Sequence, residues 1–474
     1  MSSSPSAPPP SSGKPAAVRL IELDGLRGLA AVVVLIHHAL ETVPALAEVG
    51  ARPGTVPTGT FNRILTQSPL HLLWAGHEAV LIFFVLSGVA LTYPVARRHA
   101  QGRRFDWVDY GPRRFVRLWL PAAASTTFAV IAMLLVPRSE DPALGHWMTV
   151  THPVGLGARQ MLMEYLLIPK HAYRNTVLWS LHAEAIFSFV LPLMILGVAL
   201  CARWRVSWLP VAAALAVPVI TASPGSGSYL PVFTVGAVMG WAWGHNPAPV
   251  PERPRPWATA QALVCLLLIT LAWWPGMESH TAQRLANAVT LAAAAYLVHL
   301  VVRAGALRAL LRSRTVQYLG LMSFSLYLVH EPVVVSLRLL THSMSPWWVL
   351  ILAPLASAPL TWLFQRYIEA PSHRLARRTG ALASTRFAQW SQRRRPDRPA
   401  DRSSGVESDG GQAHPHEGQR AARAAHRRGP RAVRRARLRR HERGGGGGPR
   451  PGVQAGGLRA LRWQGGPVRR RRRP

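Results

Sequence analysis

Apolar residues in this chain come in long unbroken runs, not in the narrow stripe of a half-buried helix or the alternation of a half-buried strand. Runs of about 17 to 22 residues, enough to cross a hydrocarbon core as a helix, fall near 20–41, 78–95, 115–137, 177–200, 207–222, 228–244, 257–274, 285–303, 317–339 and 347–366. The pattern predicts an all-α, polytopic integral membrane protein with about ten transmembrane helices. Arg and Lys gather on the cytoplasmic side of such proteins. The loops at 97–117, 201–205, 251–257 and 303–314 are basic, whereas those at 223–228 and 275–284 hold few cations. That alternation places both termini in the cytoplasm. Residues 138–176 form the longest external connection, and their apolar piece MLMEYLLIP at 161–169 is too short to span, so it reads as a lid or re-entrant element.

Composition adjusts this picture at the ends. Of 474 residues, 49% are hydrophobic and 16% charged, with a formal net charge of +34. Spread evenly, that charge would suggest nucleic acid, but about half of the 55 Lys and Arg lie beyond residue 375. No nucleic-acid partner is expected. Residues 376–474, rich in Arg, Gly and Pro with a GGGGG run and a closing RRRRR, cannot bury a core; they predict a disordered tail whose charge suits anionic membrane lipid. Residues 1–18 lack the features of a signal peptide and read as a disordered cytoplasmic leader. One membrane domain, 19–375, remains between them. Cys201 and Cys265 have no ligand-type spacing, so no disulfide framework and no metal site is expected.

Ionisable side chains inside apolar runs cost roughly 3 kcal/mol each on insertion scales and mark sites by default. In LDGLRGLAAVVVLIHHAL, at 23–40, Arg27 and His38 are eleven positions apart, on one helix face and about 16 Å apart along the axis, with His37 turned about 100° away. A cation at one end and an imidazole deep in the protein suit an anionic ligand inserted lengthwise. Equally, Arg27 could be an orientation signal and His38 a hydrogen-bonded interhelical histidine. Arg114 and Arg117, in GPRRFVRLWLP, share a face at the start of the third span, where guanidinium groups either bind phosphate or set orientation. Glu184 and His182 open the fourth span in LWSLHAEAIFSF, and Tyr327, His330 and Glu331 lie in SFSLYLVHEP of the ninth. For His330 a satisfied core histidine is a comparable reading, and for Glu331 the structural reading is preferred. Ser87-Gly88, closing HEAVLIFFVLSG, reads as a close helix contact.

Taken in order, these segments resemble the membrane-bound acyltransferase family 3. The matches are Arg27 to His38, Phe83 to Gly88, Arg114 with Arg117 and Pro121, Trp179-Ser180-Leu181 with Glu184, Ser325-Leu326-Tyr327 with His330 and Pro332, and Glu369 with Pro371. They cover about residues 20 to 375. The fourth span departs from the family pattern, ending in Ala185-Ile186-Phe187-Ser188 where an aromatic-rich segment is usual.

The resemblance implies an O-acyltransferase of the bacterial cytoplasmic membrane, moving an acyl group, most often acetyl, from cytoplasmic acyl-CoA to a hydroxyl of an envelope carbohydrate or small metabolite. Acyl-CoA is then a substrate, and no tightly bound cofactor is expected. Arg27, Arg114 and Arg117 would hold its phosphates while pantetheine threads toward His38, which would act as general base or transient acyl acceptor. Glu184 is expected to join His38 in catalysis by orienting it or the acceptor. Ser87, Trp179, Tyr327 and His330 are expected to contact the acceptor or support the site. A polytopic transporter or a catalytically inactive membrane scaffold is the alternative reading; the lack of an internal repeat weighs against the transporter.

Overall fold

In hydrocarbon a backbone can satisfy its polar groups only within itself. Each of the ten apolar runs contains a helix in the computed structural model, which describes residues 20–51, 59–155, 157–168, 174–220, 229–246 and 255–394. The long helices are α1 (Ile21–Glu41), α4 (Gly76–Ala100), α5 (Trp107–Leu135), α8 (Leu178–Arg203), α12 (His280–Leu300), α14 (Arg314–Leu340), and α15 (Trp348–Phe364) running into α16 (Ala370–Arg393). Shorter ones are α2 (Pro44–Ala51), α3 (Thr60–Thr66), α6 (His146–Val150), α7 (Ala158–Tyr165), α9 (Trp208–Ile220), α10 (Leu230–His245), α11 (Pro256–Ile269) and α13 (Gly305–Leu311). Among the described residues there is no strand.

Among the described residues, fewer than ten helices are long and apolar enough to cross a membrane by length and composition. Six are long and apolar enough by themselves, and α12 with α13, bent by 80° at the break between them, makes a seventh. The reason is length: α9, α10 and α11 have 13, 16 and 14 residues. At 1.5 Å per residue they reach about 20 to 24 Å, short of a hydrocarbon core of about 30 Å.

Two crossings set the interior. A side chain at Gly28 of α1 would meet the backbone of Gly320 on α14, and one at Gly88 of α4 would meet the Phe233 carbonyl of α10. Glycine at these points lets the helix backbones touch. In α14, Pro332 has no N–H for the Leu328 carbonyl four residues back. That carbonyl instead accepts from Ser125 Oγ of α5 at 2.7 Å and Asn175 Nδ2 at 2.9 Å. The hydrogen bond that proline removes is thus replaced by a polar joint between α14, α5 and the entry to α8.

The tail boundary at 375 is corrected. α16 runs on to Arg393, with Ser372, Ala376 and Gly380 buried at four-residue intervals. Gly380 packs against Asp109 of α5, and Ser384 Oγ donates to Asp106 Oδ2 at 2.6 Å. Small residues every fourth position make a docking stripe that an Arg-rich composition hides. The leader at 1–18 and the tail beyond 394 lie outside the described residues. The connection at 138–176 holds α6 and α7, with Glu164 bonded to Arg174 Nη1 at 3.1 Å. Its apolar piece is the end of α7 and the turn after it.

Candidate active site

His38 lies one turn before the end of α1, and His330 lies past the middle of α14. Their rings stack at 5.0 Å and 21°, with His38 Nδ1 2.8 Å from His330 Nε2. His330 Nδ1 is 2.9 Å from the Leu326 carbonyl, one helical turn back. A carbonyl oxygen only accepts, so Nδ1 of His330 carries that proton, Nε2 of His330 accepts, and Nδ1 of His38 donates. The neutral pair therefore leaves its one uncommitted lone pair on His38 Nε2. That nitrogen has no hydrogen-bond partner among the described residues. Trp147 of α6 stacks on His38 at 5.4 Å and 16°, fixing the plane of the ring.

A second network abuts the first. Glu331 Oε1 accepts from the backbone N–H of Thr176 at 2.8 Å, and Oε2 from that of Val177 at 2.9 Å. Both N–H groups lie just ahead of α8, so the carboxylate occupies the positive end of that helix. His152 Nε2 reaches Glu331 Oε1 at 2.7 Å while its Nδ1 lies 3.1 Å from the Trp147 carbonyl. Thr151 Oγ1 also lies 2.9 Å from His152 Nδ1, so both ring nitrogens are engaged. The side chains of His152 and Glu331 are fully buried. Glu331 thus ties α14, the 138–176 connection and the start of α8 to the turn that carries His330.

On the side of His330 toward the beginning of α1, a cavity of about 980 Å³ including its mouth opens between α1, α4, α5, α8 and α14. Arg27, Ser87, Arg114, Arg117 and Glu184 line it, and at the other end Phe83, Ser180 and Tyr327. Arg114 is committed: Nη2 donates to Glu184 Oε1 at 2.5 Å and Nε to Ser188 Oγ at 2.9 Å. Glu184 also accepts from Ser87 Oγ at 3.1 Å. Arg117 makes no hydrogen bond or ion pair among the described residues, and Arg27 has only Asp24 at 3.8 Å. The cations free to meet a phosphate are therefore Arg27 and Arg117.

His38 does not line this cavity. Phe83 and Tyr327 line it, their rings meeting edge to face at 5.7 Å, and Tyr327 lies 5.9 Å from the His330 ring. Tyr327 is pinned by its hydroxyl to Ser180 Oγ at 2.6 Å. Tyr327 thus touches both the cavity and the histidine pair.

The structure redistributes the predicted residues. Glu184 does not orient His38; it neutralises Arg114 inside the cavity, because α8 enters the bundle beside α5 and not beside α1. His330, read equally as a core histidine, is the direct partner of His38. Trp179 lies away from the site, packed against Phe84 and Tyr229. His182 turns outward to the Leu167 carbonyl. Glu369 accepts from Ser325 Oγ at 2.5 Å, which joins the Ser-Leu-Tyr segment to the Glu-Ala-Pro turn. Sequence reasoning missed Trp147 and His152 because no periodicity marks the 138–176 connection, and undervalued Glu331 because its partners come from elsewhere in the chain.

A family model described as an acyltransferase domain, that of acyltransferase family 3, matches residues 20–366. Comparison with curated proteins and with solved structures gives no match.

Proposed function

The chain belongs to acyltransferase family 3, and from that premise we propose that this multi-pass membrane protein transfers an acyl group, acetyl by default, from acyl-CoA to a hydroxyl of an envelope carbohydrate or small metabolite. The site we assign lies where α1 meets α14, in a bundle whose ten spans include the short α9, α10 and α11, with both termini in the cytoplasm and the bacterial inner membrane as its setting. The observation that carries this reading is the chain from the Leu326 carbonyl through His330 to His38, which leaves an unprotonated Nε2 as the base.

Coenzyme A would enter from the end where α1 begins, its phosphates against Arg27 and Arg117, since guanidinium pairs bidentately with phosphate. Pantetheine would lie along the cavity toward Phe83 and Tyr327, whose rings part to admit the thioester. His38 Nε2 then takes the proton of the acceptor hydroxyl as its oxygen attacks the thioester carbonyl. The C–S bond breaks, the thiolate of CoA leaves, and the proton on His38 returns to it. As the charge on His38 rises, His330 Nε2 accepts the shared proton's bond and the Leu326 carbonyl steadies His330. Arg114 and Glu184 keep the cavity open as a neutralised pair.

The test uses membrane vesicles bearing the protein, radiolabelled acetyl-CoA and a crude envelope or metabolite extract. Label in a base-labile ester with wild type and not with His38→Ala is the expected result. Equal transfer by both would remove His38 from the chemistry. Label on the protein itself after exposure to donor alone, lost in His38→Asn, would replace the general-base step by an acyl-histidine.

A further inference from the structure

The end of α1 carries two groups that acyl transfer does not use, His37 and Glu41. His37 Nδ1 lies 2.9 Å from the Trp74 carbonyl, so it carries the proton and Nε2 is left as a lone pair. That nitrogen is 3.6 Å from Glu41 Oε1, one helical turn on. His38 has the same tautomer, since its Nδ1 donates to His330. One potential ligand atom from each of His37, His38 and Glu41 lies within 4.8 Å of the other two.

Metal-binding histidines almost always donate their second ring nitrogen to a carbonyl or another fixed acceptor, which orients the ring and raises its basicity. Both histidines here are already held that way. Two neutral imidazoles and one carboxylate, with a fourth position for water, form a ligand set that suits Zn²⁺. Tetrahedral bonds of about 2.0 to 2.1 Å bring ligand atoms to about 3.4 Å apart, so the three groups must close by about an ångström. The Glu41 side chain, at the helix end and 13% exposed, has the freedom to do so.

We propose that His37, His38 and Glu41 form a Zn²⁺ site whose occupation withdraws the lone pair of His38 and so inhibits transfer. The binding half stands on geometry alone, whereas the inhibition rests on His38 being the base. The site turns the same histidine between two states, base when empty and ligand when filled.

The test titrates ZnCl₂ into the purified, metal-free full chain in detergent, followed by calorimetry, and in parallel into the vesicle transfer assay. One zinc per chain is expected in the wild type. His37→Gln and Glu41→Gln should each weaken it by about tenfold or more, the scale on which metal sites lose affinity when their shells are disturbed, while Arg117→Ala should not. Size-exclusion and thermal unfolding of Glu41→Gln, the gentler change, guard against misfolding. Transfer should fall over the same zinc range in wild type, recover with a chelator, and need correspondingly more zinc in Glu41→Gln. No stoichiometric binding, or binding unchanged in both variants, overturns the site. Binding as described with undiminished transfer overturns the inhibition. Binding as described in a protein that never transfers label leaves the site standing and removes the acyltransferase reading instead.

Discussion

The two arginines one turn apart on α5 look alike in sequence and differ in what holds them. Arg114 is paired with Glu184 at 2.5 Å in a largely buried setting, and Arg117 has no ion-pair partner among the described residues. Removing one partner of a buried pair strands the other charge, at a cost of about 3 kcal/mol or more. Arg114→Ala should therefore lower the unfolding midpoint, while Arg117→Ala should leave it unchanged and raise the KM for acetyl-CoA. Thermal unfolding and donor kinetics on the two variants check this. His330→Ala removes the group that fixes the tautomer of His38. Its kcat should fall by about 10² to 10⁴, the range for loss of a general-base arrangement, with donor KM little changed. A value near wild type would return His330 to the core.

His71 gives a pH prediction at the same scale. It is buried between Trp74, at 4.7 Å, and Trp273, at 4.3 Å, with neither ring nitrogen bonded. Burial pushes its pKa down to about 3. The unfolded chain takes up a proton near the ordinary value of about 6.5 and the folded protein does not. Its contribution is thus whole above about pH 6.5 and is lost as pH falls toward 3, by at most about 1.4 kcal/mol per unit. His71→Phe should raise the unfolding midpoint and flatten its decline between pH 7 and pH 4. An equally steep decline in the variant would show that other groups set it.

At the scale of elements, what counts is how helices touch. α16 docks on α5 through Ser372, Ala376 and Gly380, and Asp106 is both the N-cap of α5, accepting from Asp109 N–H at 3.0 Å, and the partner of Ser384. The Ser384 hydroxyl and the Asp109 N–H hold the Asp106 carboxyl below its usual range. Asp106→Ala should cost about 1 kcal/mol, as cap losses do. The difference from wild type should hold above the ordinary carboxylate value of about 3.8 and shrink only as pH falls below it, through the lowered value of the folded protein. Gly380→Val, which puts branched carbon against Asp109, should free α16 to proteolysis after Arg374 and Arg377 while α1 and α14 stay protected. Limited proteolysis in vesicles reads this directly.

For the whole molecule, a cation-lined cavity and the histidine pair meet at Tyr327, with the Phe83 ring against it. That junction makes the order of events testable. Phe83→Ala should raise hydrolysis of acetyl-CoA in the absence of acceptor, because water and thioester would meet at His38 without the ring to part them. Unchanged hydrolysis would mean that the donor reaches His38 by another route.

Long apolar runs, and the need of a membrane-embedded backbone to bond with itself, determined from sequence alone that the described chain is helical. They also placed each predicted span on a helix, with ends off by up to eight residues, as at the start of α5. Ionisable residues standing out against those runs marked Arg27, His38, Arg114, Arg117 and Glu184, because a charge in hydrocarbon needs a reason to be there. Which of them meet was beyond the sequence. Contacts such as His38 with His330 join residues 292 positions apart, and Glu331 with His152 joins residues 179 apart. Only the crossing of α1 on α14 and the folding of the 138–176 connection over their ends decided that Glu184 answers Arg114 and that His330 answers His38. The physical reason is that periodicity records which face of a helix is apolar, whereas a hydrogen bond of about 2.8 Å depends on how two such faces are set against each other.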